Sequence, residues 1–366
     1  NYLMECYVDS YTNGGSSKLG LSIYTKYSIN NPPVARSSAK ETYDSILTWA
    51  KDGVALLKEA QVGYTKDDQT DIDLGVANFV LARAALCAGE WATVISACDE
   101  ILAAYPTLMN ESQYVGVNEA PAGADYVAYF AEHKGFTCLN QNPEVILGYP
   151  YNNKAYGSAS YWTNNLATPN IASIDSRLYN DIPDGDYRKD NFKEEEWGSY
   201  TTPLNKINDG TTYQMGPYMN VKFAANVGIG QTVETASSTT LNIDYCMFRV
   251  SEVILMKAEA LAQQGGSANA ALDLLISERT NGMYTAATYP YPSDVTSELQ
   301  KVQFQTRVEM WGEGGLEWFN NRRWNIPVNR QGSANHWNPA MQFSVSQMTM
   351  SIPMQEINTN PNLVLD

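Results

Sequence analysis

Residues 73–106 read DLGVANFVLARAALCAGEWATVISACDEILAAYP. Leu74, Ala77, Leu81, Ala84 and Ala88 recur at helical spacing, and Asp73 stands where a helix takes its N-cap. Gly89-Glu90 breaks the pattern. Trp91, Val94, Ile95, Cys98, Ile101, Leu102 and Tyr105 then form a second stripe, which Pro106 stops. Helices joined by so short a turn fold back antiparallel as an αα-hairpin. The small side chains of the first let the second pack closely. A turn glycine, an aromatic residue two positions on and a closing proline fit a tetratricopeptide-like helix pair.

Working outward, Ser38-Ala39-Lys40-Glu41 has capping-box spacing. Tyr43, Ile46, Leu47, Ala50, Val54 and Leu57 follow on one face, with Gly63 and Lys66–Thr70 ending that helix. A second pair carries the stripe Met247, Val250, Ile254, Ala258, Leu261. Gln264-Gly265-Gly266 breaks it, Ser267 is placed to cap the next helix, and Ala271, Leu272, Leu275 and Ile276 follow before Asn281-Gly282. Further helical patterns run over 297–311 and on through Trp324. Between the blocks the chain is rich in Tyr, Asn, Gly, Ser, Thr and Pro, with short strands expected at Val145–Tyr149 and Tyr218–Phe223. A stretch of this length without helices is usually functional. The expected fold is therefore mainly α, one domain over 1–366: tetratricopeptide-like helix pairs at 36–115 and 243–330, a loop-rich, ligand-facing insertion at 116–242, and an extended segment at 331–366.

The 366 residues are 44% hydrophobic and 17% charged, enough for a sizeable core, and the net charge is −16. No basic run offers a footprint for phosphates, so a nucleic-acid partner is disfavoured. A neutral ligand such as a sugar is not repelled. No apolar run is long enough to span a bilayer. The chain opens without Met, so a preceding segment is expected, and the missing targeting signal carries little weight. Five cysteines, without Cys-x-x-Cys spacing, argue against a disulfide framework or a zinc site. Cys87, Cys98 and Cys246 lie in apolar helical patterns and read as buried hydrophobes.

No motif demands catalysis, a metal or a cofactor. His133 and His336 lack His-Glu-x-x-His spacing, and no Gly-x-Ser-x-Gly elbow occurs. Gly14-Gly15 and Gly228-Ile229-Gly230 read as turns rather than phosphate cradles. Glu309 and Glu313, four apart and flanked by Trp311 and Trp318, are the carboxylates a glycosidase would need; Arg307, Arg322 and Arg323 nearby suggest neutralisation instead. Arg249, Glu252 and Glu259 are either a charged ligand clamp or ties between helices, and the second reading is preferred. Tyr149, Tyr151, Tyr156, Tyr161 and Trp162 are interleaved with Asn and Ser, and Trp197 and Tyr200 follow. Rings stack on the C–H faces of a pyranose while Asn, Ser and Tyr bond its hydroxyls. These seven are the candidate ligand contacts. Two alternatives stand beside glycan binding: an α-helical glycoside hydrolase, and a tetratricopeptide-type scaffold holding peptides in a polar concave groove.

Four segments resemble the SusD/RagB family of starch-utilisation-type outer-membrane lipoproteins. They are Ala82-Arg83-Ala84-Ala85-Leu86 with Gly89-Glu90-Trp91; Phe248 to Ala260, similar to the family's Arg-x-x-Glu-x-x-Leu-x-x-Ala-Glu-Ala helix; Arg307-Val308-Glu309 with Glu313-Gly314 and Arg323-Trp324; and Ser351-Ile352-Pro353 with Glu356-Ile357 and Asn360-Pro361. The chain departs from the family pattern at Gln305, Thr306, Gly315-Leu316, Asn320 and the closing Val364-Leu365-Asp366. The resemblance implies a non-catalytic, lipid-anchored protein on the surface of a Bacteroidetes-type outer membrane. Such a protein captures glycans or peptides for a TonB-dependent, SusC-like barrel. The anchoring cysteine is expected outside this chain.

Overall fold

The computed structural model describes residues 1–26, 28–65, 68–115, 135–136, 139–149, 173–192, 194–195, 217–218, 220, 222–223, 226–227, 241–242, 244–336 and 338–365. In chain order the helices are α1 (Tyr2–Tyr7), α2 (Ala39–Glu59), α3 (Leu74–Ala88), α4 (Trp91–Ala104), α5 (Glu111–Val115), α6 (Ser176–Asp181), α7 (Val250–Gln263), α8 (Asn269–Arg279), α9 (Glu298–Glu309), α10 (Leu316–Arg323) and α11 (Met354–Thr359). The strands are β1 (Val145–Tyr149), β2 (Asn226–Val227), β3 (Leu241–Asn242), β4 (Tyr245–Arg249), β5 (Val328–Asn329) and β6 (Gln342–Phe343). They pair as antiparallel ribbons β1–β4, β2–β3 and β5–β6. The fold is mainly helical, as the apolar periodicity requires.

The α3–α4 hairpin is closed by the residues its sequence nominates. Asp73 Oδ1 accepts from the Val76 amide at 2.9 Å, satisfying an orphan donor of the first turn. Its Oδ2 accepts from the Thr65 amide at 2.5 Å and from the Tyr105 hydroxyl at 3.2 Å. One carboxylate thus ties the start of α3 to the end of α4. At the turn Gly89 has φ 76°, left-handed backbone that a Cβ disfavours, and an added Cβ would meet Thr12 Cγ2 at 3.0 Å. Between the helices, Phe79, Ala82, Ala85, Val94, Cys98 and Ile101 are buried.

Helix α2 begins with both halves of its capping box. Ser38 Oγ accepts from the Glu41 amide at 3.1 Å, and Glu41 Oε2 accepts from the Ser38 amide at 2.9 Å. It ends at Glu59, ahead of Gly63, where Gln61 turns the chain at φ 57°. Helix α7 packs against α4 and α9, so the two helical blocks share one core running from Leu47 to Met310. Helix α9 carries a capping box of Ser297 with Gln300. At the start of α8 Ser267 Oγ accepts from the Asn269 amide at 3.2 Å and Glu298 Oε2 from the Ala268 amide at 2.8 Å, with Ala268 in the N-cap position itself.

The ribbon β1–β4 also revises the sequence reading. Met247 and Cys246 belong to β4, not to the helix, and Met247 is 46% exposed. Leu147 pairs with Phe248 and Gly148 with Cys246, so Met247 is an extra residue that bulges from the ladder. The strand expected over Tyr218–Phe223 is replaced, among the described residues, by turns and a lone bridge between Asn220 and Phe192. Tyr218 takes φ 63°, incompatible with extended pairing.

Candidate ligand-binding site

A buried cluster of charges ties the described residues between α5 and β4 to the helices. Glu144 lies just before β1, Asp186 and Arg188 lie after α6, and Lys222 lies further along the insertion. From the scaffold, Arg249 stands at the end of β4, Arg279 ends α8, Glu309 ends α9 and Glu313 follows it. Glu309 Oε1 accepts from Arg249 at 2.7 Å and from Arg279 at 3.0 Å; its Oε2 accepts from Arg188 at 3.4 Å. Glu144 accepts from Arg249 at 2.9 Å and from Arg279 at 2.5 Å. Arg188 also donates to Asp186 and, at 2.7 Å, to Gln305. Glu313 accepts from Arg249 at 2.7 Å and from Lys222 at 2.6 Å. Four cations (Arg188, Lys222, Arg249, Arg279) face four carboxylates (Glu144, Asp186, Glu309, Glu313), so the cluster is neutral.

That balance decides what the carboxylates do. Burial would push the Glu309 carboxyl up, but Arg279, Arg249 and Arg188 outweigh it and hold it well below the usual range. Burial acts likewise on Glu144, and Arg279 and Arg249 bring it down. Glu309 is 0% exposed, so it is out of reach of a substrate, and a carboxyl held ionised at neutral pH is no general acid there. The cations that neutralise it are not those its sequence neighbourhood suggested. Arg322 donates instead to the carbonyls of Glu5 and Val8. Arg323 forms a two-point pair with Glu259 at 2.9 and 2.7 Å, and Arg307 reaches Asn321. Arg249, Glu252 and Glu259 do not converge: Glu252 accepts from Arg83 of α3 and Glu259 from Arg323, each binding α7 to a different helix.

Of the seven candidate contact residues, Tyr149 lies within the described structure. It ends β1, is 60% exposed, and stands opposite Tyr245 of β4. Tyr245 is not among the seven candidates; it opens β4, ahead of the stripe that begins at Met247. Gly148 leaves room for Leu139 against the ribbon there: a Cβ would meet its side chain at 2.7 Å. Its amide donates to the Gln69 carbonyl at 2.8 Å, pinning the ribbon to the turn before α3. Tyr151, Tyr156, Tyr161, Trp162, Trp197 and Tyr200 lie outside the described residues, as do His133 and Gly228–Gly230. Gly14 opens a turn at φ 86°. Cys87 and Cys98 are buried free thiols, and burial pushes Cys87 up to about 12.

A cavity of about 270 Å³ lies among α1, α3, α7 and α10, lined by Phe79, Phe248, Leu255, Met310 and Phe319. The Arg83–Glu252 and Arg323–Glu259 pairs also line it. Among the described residues no helix is long and apolar enough to cross a membrane.

Comparison with known proteins places these features. Residues 146–364 match the model of the SusD family. The fold is similar to that of a SusD superfamily protein from Bacteroides thetaiotaomicron, with TM-score 0.69 and 19% identity over 99% of this chain and 74% of that one. A SusD-like carbohydrate-binding protein from Bacteroides vulgatus gives TM-score 0.68 and 20% identity, covering 99% of this chain and 73% of that one. Surface glycan-binding protein A from Bacteroides thetaiotaomicron gives 0.55 and 15%, covering 88% and 69%. No curated protein sequence matches this one.

Proposed function

The chain belongs to the SusD family, and from that premise we propose that it is a non-catalytic glycan-binding protein of the outer-membrane surface. It holds an oligosaccharide or polysaccharide on rings of the insertion and passes it to a TonB-dependent, SusC-like barrel. The observation that carries the reading is Tyr149. A tyrosine 60% exposed at the end of a pinned ribbon, where the chain enters a run of Tyr, Trp, Asn and Ser, offers rigid stacking area at small entropic cost. Two of the structural relatives are carbohydrate- or glycan-binding by name. The surface location, the lipid anchor and the barrel partner rest on family membership. Against hydrolysis stands the neutralised state of Glu309 and Glu313, which removes the two carboxylates first suspected as acid and base.

Affinity electrophoresis through gels containing a panel of polysaccharides tests this, with a reducing-end assay on the same mixtures. Retardation by at least one glycan with no release of reducing ends is the expected result. Release of reducing ends would make the protein a hydrolase. Unaltered mobility in every gel would remove glycan capture.

A further inference from the structure

Lys222 is 1% exposed, and its ammonium is fully coordinated by protein. The three donors of a lysine match three acceptors: the Glu309 carbonyl at 2.8 Å, the Trp311 carbonyl at 2.9 Å and Glu313 Oε1 at 2.6 Å. Two of these lie at the C-terminal end of α9, where the helix dipole favours a cation, and the Glu309 carbonyl also accepts from Arg249 at 2.9 Å. The ammonium also lies over the rings of Phe136 (4.7 Å) and Phe223 (5.3 Å). Phe223 approaches the scaffold at Gly312, where φ is 74° and a Cβ would meet the ring at 2.8 Å. Close by, the Ile174 amide donates to the Tyr218 carbonyl at 3.0 Å, Asn220 bridges to Phe192, and the Phe192 ring meets Trp311 edge-on.

We propose that Lys222 is a positioning residue for the insertion: it latches the chain around Tyr218, Asn220 and Phe223 to the end of α9, and so fixes where the ligand-facing surface stands on the scaffold. Bulk stability alone gives little reason for a charged pair here, since apolar side chains in place of both Lys222 and Glu313 would fill the space without desolvating charges. The cost is visible, because burial lowers the Lys222 pKa to about 8 even with Glu313 opposing it. What the ammonium supplies is direction, three bonds that fix one docking geometry. The surface being positioned rests on the glycan-binding reading; the latch itself does not.

The test uses the full chain with Lys222→Met and the double variant Lys222→Met/Glu313→Gln. Hydrogen exchange is read at Ile174 and across α3–α4, together with affinity for a glycan that the wild type binds. In Lys222→Met, exchange at Ile174 rises about tenfold or more while α3–α4 stays protected, and affinity falls by a similar factor. The double variant restores neutrality but not the three bonds, so Ile174 stays unprotected and affinity stays low. Unchanged protection at Ile174 in Lys222→Met overturns the latch. Recovery of protection and affinity in the double variant also overturns it, reducing Lys222 to a counter-charge. Should Lys222→Met fail to fold, Gly312→Ala displaces Phe223 with the lysine in place. It must then raise exchange at Ile174 selectively, and failure to do so counts against the proposal. A wild type that binds no glycan, beside a Lys222→Met variant that deprotects Ile174, removes the glycan reading and leaves the latch standing.

Discussion

Glu309 carries its charge inside the protein because three guanidiniums face it. Glu309→Gln leaves Arg188, Arg249 and Arg279 with too few anions, and loss of one member of such a buried set costs about 3–5 kcal/mol. Chemical denaturation at neutral pH reads that loss. The pH dependence follows from the depressed carboxyls. Glu309 and Glu144 titrate lower in the folded protein than their ordinary value near 4.5. Their contribution is therefore complete above that value and is lost as pH falls below it toward the folded values. Wild-type stability should fall with a steep acid limb, and Glu309→Gln should flatten it. Tyr149 is the opposite case. Its exposure predicts that Tyr149→Ala changes stability by no more than about 0.5 kcal/mol, while calorimetry shows weaker glycan binding. At this scale the sequence was legible only in part. Arg249 and Glu309 stand out in a helical pattern, but their partners Glu144 and Lys222 come from turns and Arg188 from a short 3₁₀ helix. A buried charge there has no period to betray it. The nearest arginines in sequence, Arg307, Arg322 and Arg323, proved to serve other contacts.

Elements were most legible where local chemistry closes them. The capping box at Ser38, the cap at Asp73 and the glycine at Gly89 all act where their spacing placed them. Asp73→Ala should cost about 1 kcal/mol for the cap alone. Further loss follows because the Thr65 amide and the Tyr105 hydroxyl lose their acceptor. Gly89→Ala should cost about 1–2 kcal/mol, the penalty for a Cβ in left-handed backbone, with Thr12 crowding it further. Thermal unfolding of both variants measures these losses, and a Gly89→Ala protein as stable as wild type would show that the turn is not held left-handed in solution. Strand β4 was not legible. Tyr245–Arg249 runs directly into α7, and Met247 continues the helical stripe by coincidence of spacing. The pairing that makes it a strand comes from β1, nearly a hundred positions earlier in the chain. The strand expected over Tyr218–Phe223 failed for the reverse reason, because Tyr218 turns left-handed where pairing would need extended backbone.

At the scale of the whole molecule, two helical blocks far apart in sequence share one core, and a neutral knot of charges fastens the insertion to it. The helical class and the hairpins were legible because amphipathic period and hairpin punctuation are local signals, and the family was legible through the resemblance of four short segments. The placement of Glu144, Arg188 and Lys222 was not, since it depends on ion pairs between distant segments. A net charge of −16 beside a glycan without charge predicts binding that hardly responds to salt, unlike capture of a charged polymer. The ring-based account is tested most directly by titration calorimetry of a glycan that retards the wild type, comparing wild type with Trp162→Ala. The account predicts affinity lower by about tenfold, the loss of one stacked ring, with an unchanged melting temperature. Equal affinity for both proteins, repeated when Tyr161 and Tyr149 are also replaced by alanine, would contradict it.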